Sequence, residues 1–208
     1  MEGWNGIPGG GLPAGAATSM TQLQPGVWGW AGAEKVNAAL SAVSRDLGRK
    51  GGGAAKKVLA CYKVVDGIWL GSTAQLPDAA ELEKEGIVAT LAVGEGVKAI
   101  DTGKFMHSAA AFGDEESASI LPCFPKAFKQ IAAGVEDGGV FIYCASRQGS
   151  CALATGFLMA TLGLSFEDAW AKVREATGGQ VDELNRNLKR QLTTWAKWPE
   201  FPGLPEWM

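Results

Sequence analysis

The sequence predicts an α/β domain with a central, mostly parallel sheet of about five strands and helices on both faces. Short apolar segments alternate with longer segments of helical periodicity between residues 58 and 197. One short segment, 87–93 (IVATLAV), is apolar throughout, which is typical of a strand covered on both faces. Crossover connections between such strands place the helices on the two faces of the sheet.

Composition and charge exclude several classes of function. The 208 residues are 47% hydrophobic and 20% charged, which favours a sizeable core over global disorder. A net charge of −3, with no basic stripe interleaved with aromatic residues, argues against nucleic-acid binding. No apolar run approaches the roughly 20 residues of a membrane span, so we expect no membrane partner. Composition leaves the oligomeric state open.

The cysteines and the sole histidine bear on cofactors and on the compartment. Four cysteines without a Cys-x-x-Cys pair predict no zinc site, and nothing in the sequence calls for another cofactor. Their irregular spacing fits a reducing compartment better than a secreted disulfide scaffold. No charged-then-apolar signal segment opens the chain, so the cytoplasm is expected, with the nucleus as the alternative.

Four regions follow one another along the chain. Residues 1–30 are dense in glycine and proline and are predicted to be a disordered arm, because they can bury too little to offset the entropy of ordering. Residues 31–57 hold a predicted amphipathic helix over 34–47 and a glycine-rich linker. The folded domain spans 58–197. The Trp- and Pro-rich tail, 198–208, is expected to fold back over it.

The first half of the domain predicts a hairpin followed by alternating helices and strands. Asp66-Gly67 is a turn pair between two short strands in 62–72 (YKVVDGIWLGS). A helix is predicted from Pro77 to Glu85, and a weaker strand covers 107–112, where His107 fits a strand edge better than a catalytic base. The next helix is predicted over 122–133, with both of its prolines in the first turn.

The second half begins with the stretch that predicts the site. Val140 to Tyr143 is a predicted strand, and the segment 151–162 is a helix closed by Gly163. Ser165 and Asp168 form an N-capping pair for a further helix, and an amphipathic helix spans 184–195.

A strand, a tight loop and a helix aim successive backbone N–H groups and a helix N-terminus at one point. Such a point attracts anions, above all phosphate. Cys144 lies there, and the same dipoles favour its thiolate, which makes it a candidate nucleophile. The candidate phosphate-binding loop is the run that follows it, Ala145, Ser146, Arg147, Gln148, Gly149 and Ser150.

The same stretch resembles the signature region of the dual-specificity protein phosphatases, in the cysteine-dependent protein tyrosine phosphatase superfamily. The family's loop runs His-Cys, any two residues, Gly, any two residues, Arg-Ser. Cys144 matches the family's nucleophile, while Tyr143 stands for the histidine and Arg147 for the glycine. Ser150 stands for the phosphate-gripping arginine and Cys151 for the serine. The resemblance extends over about 64–195 and includes IWLGS and Gly-Ile at 86–87.

Asp114 is the candidate general acid that the resemblance implies. It lies thirty residues before Cys144, after a predicted strand and before a predicted helix, where the family keeps its acidic residue. The alternative is a solvated loop carboxylate, in an acidic cluster with Glu115 and Glu116.

The loop's departures from the family lead to a pseudophosphatase hypothesis: a domain that binds a phosphorylated protein, or another partner protein, with little hydrolysis. A serine hydroxyl cannot imitate the two-pronged guanidinium, and Arg147 in a glycine position is expected to strain the loop by about 1 kcal/mol or more. Two alternatives stay open. One is an active phosphatase with Cys144 as nucleophile, Asp114 as general acid and Arg147 as the substitute arginine. The other is a redox-responsive pair, Cys144 and Cys151.

Overall fold

The computed structural model describes residues 20–24, 27–30, 61–100, 103–112 and 118–197. The predicted helix at 34–47, the linker after it, Asp114 and the tail 198–208 lie outside the described residues.

Within that part of the chain the strands and helices alternate as the sequence predicts. The strands are β1 (Met20–Gln24), β2 (Val27–Trp30), β3 (Cys61–Val65), β4 (Ile68–Ser72), β5 (Ala89–Val93), β6 (Met106–Ala110) and β7 (Val140–Cys144). The α-helices are α1 (Ala79–Lys84), α2 (Phe124–Asp137), α3 (Gln148–Leu162), α4 (Phe166–Ala176) and α5 (Arg186–Trp195).

Five of the strands form the predicted sheet, in the order β3-β4-β7-β5-β6. The β3–β4 pair is the antiparallel hairpin, and Gly67 at its turn has a φ of 79°, a conformation that glycine adopts without steric cost. All other pairings in this sheet are parallel. The predicted fold class, a mostly parallel five-stranded sheet, is confirmed.

Strands β1 and β2 correct the expectation for the N-terminal arm. They pair antiparallel, with Met20 opposite Trp30, where the sequence predicts no regular structure. The physical signals for them are a β-branched and aromatic segment, 27–30, and the Pro25-Gly26 turn pair before it. The glycine and proline content of residues 1–30 as a whole predicts disorder and obscures these local signals.

The helix ends follow from their capping residues. Asp78 and Glu81 form a capping box at α1, and the Ser165 hydroxyl accepts from the Asp168 N–H at α4, as predicted. The predicted start of α5 is two residues early, because the Asn185 side chain accepts from the Leu188 N–H and fixes the first turn there. Helix α3 begins three residues earlier than predicted, so the loop after β7 is only 145–147.

Helices cover both faces of the sheet. One face packs against α2, α3 and α4, and α5 packs on α3 in the same main core, which includes Ile142, Phe157 and Leu192. The other face carries Phe141 and Tyr143 and packs beneath Leu82 of α1. Almost every residue of α3 is buried, so its N-terminus is held in a fixed place at the end of β7. No helix in the described residues combines the length and apolarity that crossing a membrane requires.

Candidate functional site

The candidate site lies where three parallel strands end together. Cys144 is the last residue of β7, the middle strand of the sheet, and pairs in register with Ser72 at the end of β4 and Val93 at the end of β5. Ligands of such sheets bind beyond the carboxyl ends of the strands. The structure therefore places the cysteine at the edge where the sequence predicts it.

The Cys144 thiol is buried and contacts Ser150. Only 1% of Cys144 is exposed. The Ser150 N–H donates to Sγ at 3.3 Å, and Sγ lies 3.3 Å from the Ser150 hydroxyl. That hydroxyl donates its own proton to the Arg147 carbonyl at 3.2 Å. The serine at the position of the family's arginine thus contacts the sulfur, and its O–H is directed to the backbone.

Arg147 has the left-handed conformation that glycine would adopt at its position. Its φ is 64°, and no other non-glycine residue in the described part of the chain has a positive φ. This conformation costs a residue with a side chain on the order of 1 kcal/mol or more, so the predicted strain is confirmed. The guanidinium Nη2 donates to Gln75 Oε1 at 3.2 Å, while Nε is buried without a partner.

The loop retains free backbone donors. The N–H of Gln148 donates to the Ser146 hydroxyl at 3.4 Å. Those of Ser146, Arg147 and Gly149 have no acceptor among the hydrogen bonds of the described residues. These donors stand at the N-terminus of α3, whose dipole adds partial positive charge. The loop can therefore attract an anion without a serine-to-arginine change.

Gln148 fixes a second loop beside the site. Its side-chain amide donates to the Glu183 carbonyl at 3.1 Å and accepts from the Asn185 N–H at 2.9 Å. Both ends of the amide are used, so the segment that leads into α5 is held against the first turn of α3. Gln148 is thus a structural link and not a free ligand-binding side chain.

Tyr143 faces away from the thiol. Successive side chains of a strand point to opposite faces of the sheet. Tyr143 packs in the second core, the cluster beneath Leu82 of α1, where its ring centroid lies 5.4 Å from that of Phe141. Its hydroxyl donates to the Lys98 carbonyl at 3.0 Å and accepts from the Ile100 N–H at 3.1 Å. Burial raises the pKa of this phenol. Tyr143 therefore holds the chain after β5 in place and makes no contact that could support the thiolate.

Cys151 is a buried free thiol one helical turn into α3. Both Cys144 and Cys151 are free, and each is 1% exposed. Burial raises the pKa of Cys151 from 9.0 to about 12, with a further rise from the charge of Cys144 and a partial offset by Arg147. The Arg147 guanidinium is thus close enough to act electrostatically on this part of the site. The redox role of the pair stays a prediction.

The raised pKa of Cys151 predicts alkaline destabilisation. Below pH 9 both the folded and the unfolded state keep the proton; between about 9 and 12 the unfolded state loses it and the folded state does not. Stability therefore falls as pH rises through this window, by up to about 1.4 kcal/mol per pH unit from this group. Urea unfolding at pH 8, 9 and 10 should show a shallower decline in Cys151→Ala than in the wild type. Parallel declines in the two proteins would contradict the prediction.

Asp114 lies outside the described residues, and its role as general acid stays a prediction. The chain just before it does reach the site: Phe112 packs so closely on Gly149 that a Cβ there would lie 2.7 Å from the ring's Cζ.

His107 does not belong to the candidate site. It lies on the edge strand β6, 3.0 Å from Thr90 Oγ1, and burial lowers its pKa, so the strand-edge interpretation is confirmed.

Two residues of the site were missed from the sequence. Ser72 donates to the Ala145 carbonyl at 3.4 Å, and Gln75 holds the Arg147 side chain. Both follow from IWLGS being the strand next to β7, since parallel neighbours end at the same edge. Sequence periodicity does not specify the order of the strands, so neither residue could be placed beside the loop after β7.

Comparisons with known proteins agree with this geometry. No family model matches the chain. A probable dual specificity protein phosphatase of Dictyostelium discoideum is 38% identical over 64 residues, which are 30% of this chain and only 16% of that protein. The structure of human DUSP28 superposes with a TM-score of 0.61 at 20% identity, covering 69% of this chain and 97% of the other. The fold is that of the dual-specificity phosphatases.

Two further solved structures share the dual-specificity-phosphatase fold. A mouse putative dual specificity phosphatase complexed with zinc tungstate has a TM-score of 0.61 at 20% identity and covers 70% of this chain and 91% of its own. The human tyrosine phosphatase-like serine/threonine/tyrosine-interacting protein has a TM-score of 0.56 at 21% identity, with coverage of 65% and 94%. The relationship inferred from residues 138–164 and the fold it implies are thus supported by sequence and by structure.

Proposed function

We propose that this protein is a dual-specificity-phosphatase-like domain that binds a phosphorylated protein and hydrolyses it little. The observation that carries the proposal is Ser150, which takes the place of the family's arginine and contacts the Cys144 sulfur through its N–H and its hydroxyl. A neutral hydroxyl supplies neither the charge nor the bidentate geometry that stabilise a transferring phosphoryl group.

The binding half of the proposal is supported by the loop's donors. The N–H groups of Ser146, Arg147 and Gly149 have no acceptor among the described residues, and the Arg147 guanidinium contacts Gln75 in the turn after the neighbouring strand β4. Neutral backbone donors at a helix N-terminus bind phosphate without help from a nucleophile. The mouse structure of the same fold was solved as a complex with zinc tungstate, and tungstate is a tetrahedral oxyanion like phosphate.

The weak-hydrolysis half is supported by the surroundings of the thiol. The Ser150 O–H is committed to the Arg147 carbonyl, and Tyr143 is committed to the second core, so neither supports a thiolate. A phosphatase-like protein named for its interactions has this fold as well, the human serine/threonine/tyrosine-interacting protein. All four cysteines are free thiols, which supports a reducing compartment such as the cytoplasm.

A phosphopeptide titration tests the proposal. The wild type should bind a phosphotyrosine or phosphoserine peptide more tightly than the unphosphorylated peptide. Arg147→Ala should weaken that binding about tenfold, because a charged hydrogen bond is lost. Arg174→Ala, at an exposed arginine of α4, is the matched control and should bind as the wild type does.

Hydrolysis of an aryl phosphate separates the alternatives. Turnover by the wild type that disappears in Cys144→Ser would replace the proposal with an active phosphatase. No preference for the phosphorylated peptide would overturn it outright. A two-proton mass loss after mild peroxide, absent in Cys151→Ala, would establish the redox alternative.

A further inference from the structure

Among the described residues, Gln75 is the side chain that hydrogen-bonds to the Arg147 guanidinium. It belongs to the short turn Thr73–Gln75 that follows β4, and its own side chain is exposed. Gln75 Oε1 accepts a single hydrogen bond from Arg147 Nη2 at 3.2 Å. The contact exists only because an arginine occupies a glycine position of the family's loop.

The contact with Gln75 uses only one of the two parallel N–H donors that form the fork of the Arg147 guanidinium. Nε and Nη2 lie on the same edge of a guanidinium and form two parallel donors, which suit an anion with two oxygens. An amide carries one oxygen, so Gln75 satisfies Nη2 while Nε remains buried without a partner. A buried, charged donor without an acceptor is unfavourable, and a second oxygen at this place would relieve it.

The fork stands beside the candidate anion site. The backbone of Arg147 belongs to the loop over Cys144, and Ser72, three residues before Gln75, pairs in register with Cys144. The guanidinium charge partly offsets the burial that raises the pKa of Cys151, in line with its position beside the first turn of α3. The N–H groups of Ser146, in the same loop, and of Gly149, in the first turn of α3, have no acceptor in the described part of the chain.

We propose that Gln75 is a placeholder: its side-chain oxygen occupies the position that a phosphate oxygen would take on Arg147. Gln75 and a phosphate dianion therefore compete for the Arg147 guanidinium. Phosphate displaces the Gln75 oxygen and takes both Nε and Nη2 while its other oxygens accept from the loop's N–H groups. Gln75 thus sets the affinity and selects dianionic, two-oxygen ligands over singly accepting ones. This inference rests on the proposed function and names a determinant of the same site.

Two substitutions with opposite expected effects on phosphate affinity test the role of Gln75. Binding of inorganic phosphate is measured by titration calorimetry in the full-length protein. Gln75→Ala should bind phosphate about tenfold more tightly than the wild type, because the competing hydrogen bond to a charged group is gone. Gln75→Glu should bind at least about tenfold more weakly, because its carboxylate fills the whole fork. A merely structural glutamine would move both variants in the same direction.

Two controls tie the effect to the guanidinium. In an Arg147→Lys background, which keeps the charge but lacks the fork, Gln75→Ala should produce no gain. Gln180→Ala, at an exposed glutamine outside the loop, should leave phosphate binding unchanged. A melting temperature close to that of the wild type confirms that each variant is folded.

The outcomes separate this inference from the proposed function. Phosphopeptide binding by the wild type without any gain in Gln75→Ala would overturn the placeholder and leave the function standing. A wild type that ignores phosphopeptides, beside a Gln75→Ala that binds phosphate, would overturn the function and support the placeholder. Absence of binding in both proteins would overturn both.

Discussion

Replacing Arg147 by glycine and Ser150 by arginine together should raise hydrolysis of an aryl phosphate at least about 100-fold over the wild type. Glycine takes the left-handed conformation at position 147 without strain. Arginine at position 150 extends from the residue whose N–H already contacts the Cys144 sulfur. The charge is thereby supplied where the transferring phosphoryl group lies.

Ser150→Arg alone should gain less than the double variant, because position 150 is fully buried and Arg147 remains in the loop. Adding Cys144→Ser to the double variant should abolish the gain, which shows that it proceeds through the thiol. The measurement is the rate of release of an aryl alcohol at saturating substrate. A double variant no faster than the wild type would mean that the loop lacks more than its arginine.

Phe157→Ala should lower the free energy of unfolding by about 3–5 kcal/mol. Phe157 is fully buried in the middle of α3, and its ring meets Phe128 of α2 edge to face at 5.6 Å. The truncation leaves a cavity between two helices that both pack on the sheet. The loss is measured as a shift of the urea midpoint at unchanged slope.

Phe157→Leu is the matched variant and should cost much less than Phe157→Ala, since most of the volume is kept. Because α3 carries the loop at its N-terminus, Phe157→Ala should also weaken phosphopeptide binding. Equal stability of the alanine variant and the wild type would contradict the assigned core.

Most of the fold could be predicted from the sequence because its signals are local. The apolar strand before Cys144, the turn pair Asp66-Gly67 and the cap at Ser165 each specify an element by periodicity or by hydrogen-bonding chemistry. Helix ends were less accurate: the Asn185 cap sets the start of α5, and α3 already begins at Gln148, directly after the loop that follows Cys144. The strands in 20–30 were missed because composition outweighed a short β-branched and aromatic segment.

The candidate site could be predicted in part. The resemblance gave Cys144, the loop and the strain at Arg147, all of which depend on neighbouring residues in the chain. The hydrogen bond from Arg147 to Gln75 joins residues 72 positions apart, and that from Gln148 to Glu183 joins residues 35 apart. Such pairings depend on the order of the strands and on side-chain direction, which periodicity does not encode.

The left-handed backbone at Arg147 has an evolutionary consequence. A change to glycine at that position would relax the chain, and such a change is a single nucleotide away from many arginine codons. A single mutation would therefore give a less strained loop, and the stability of the fold alone would favour that change. An arginine in this conformation is what selection for binding a ligand through its side chain would favour over glycine.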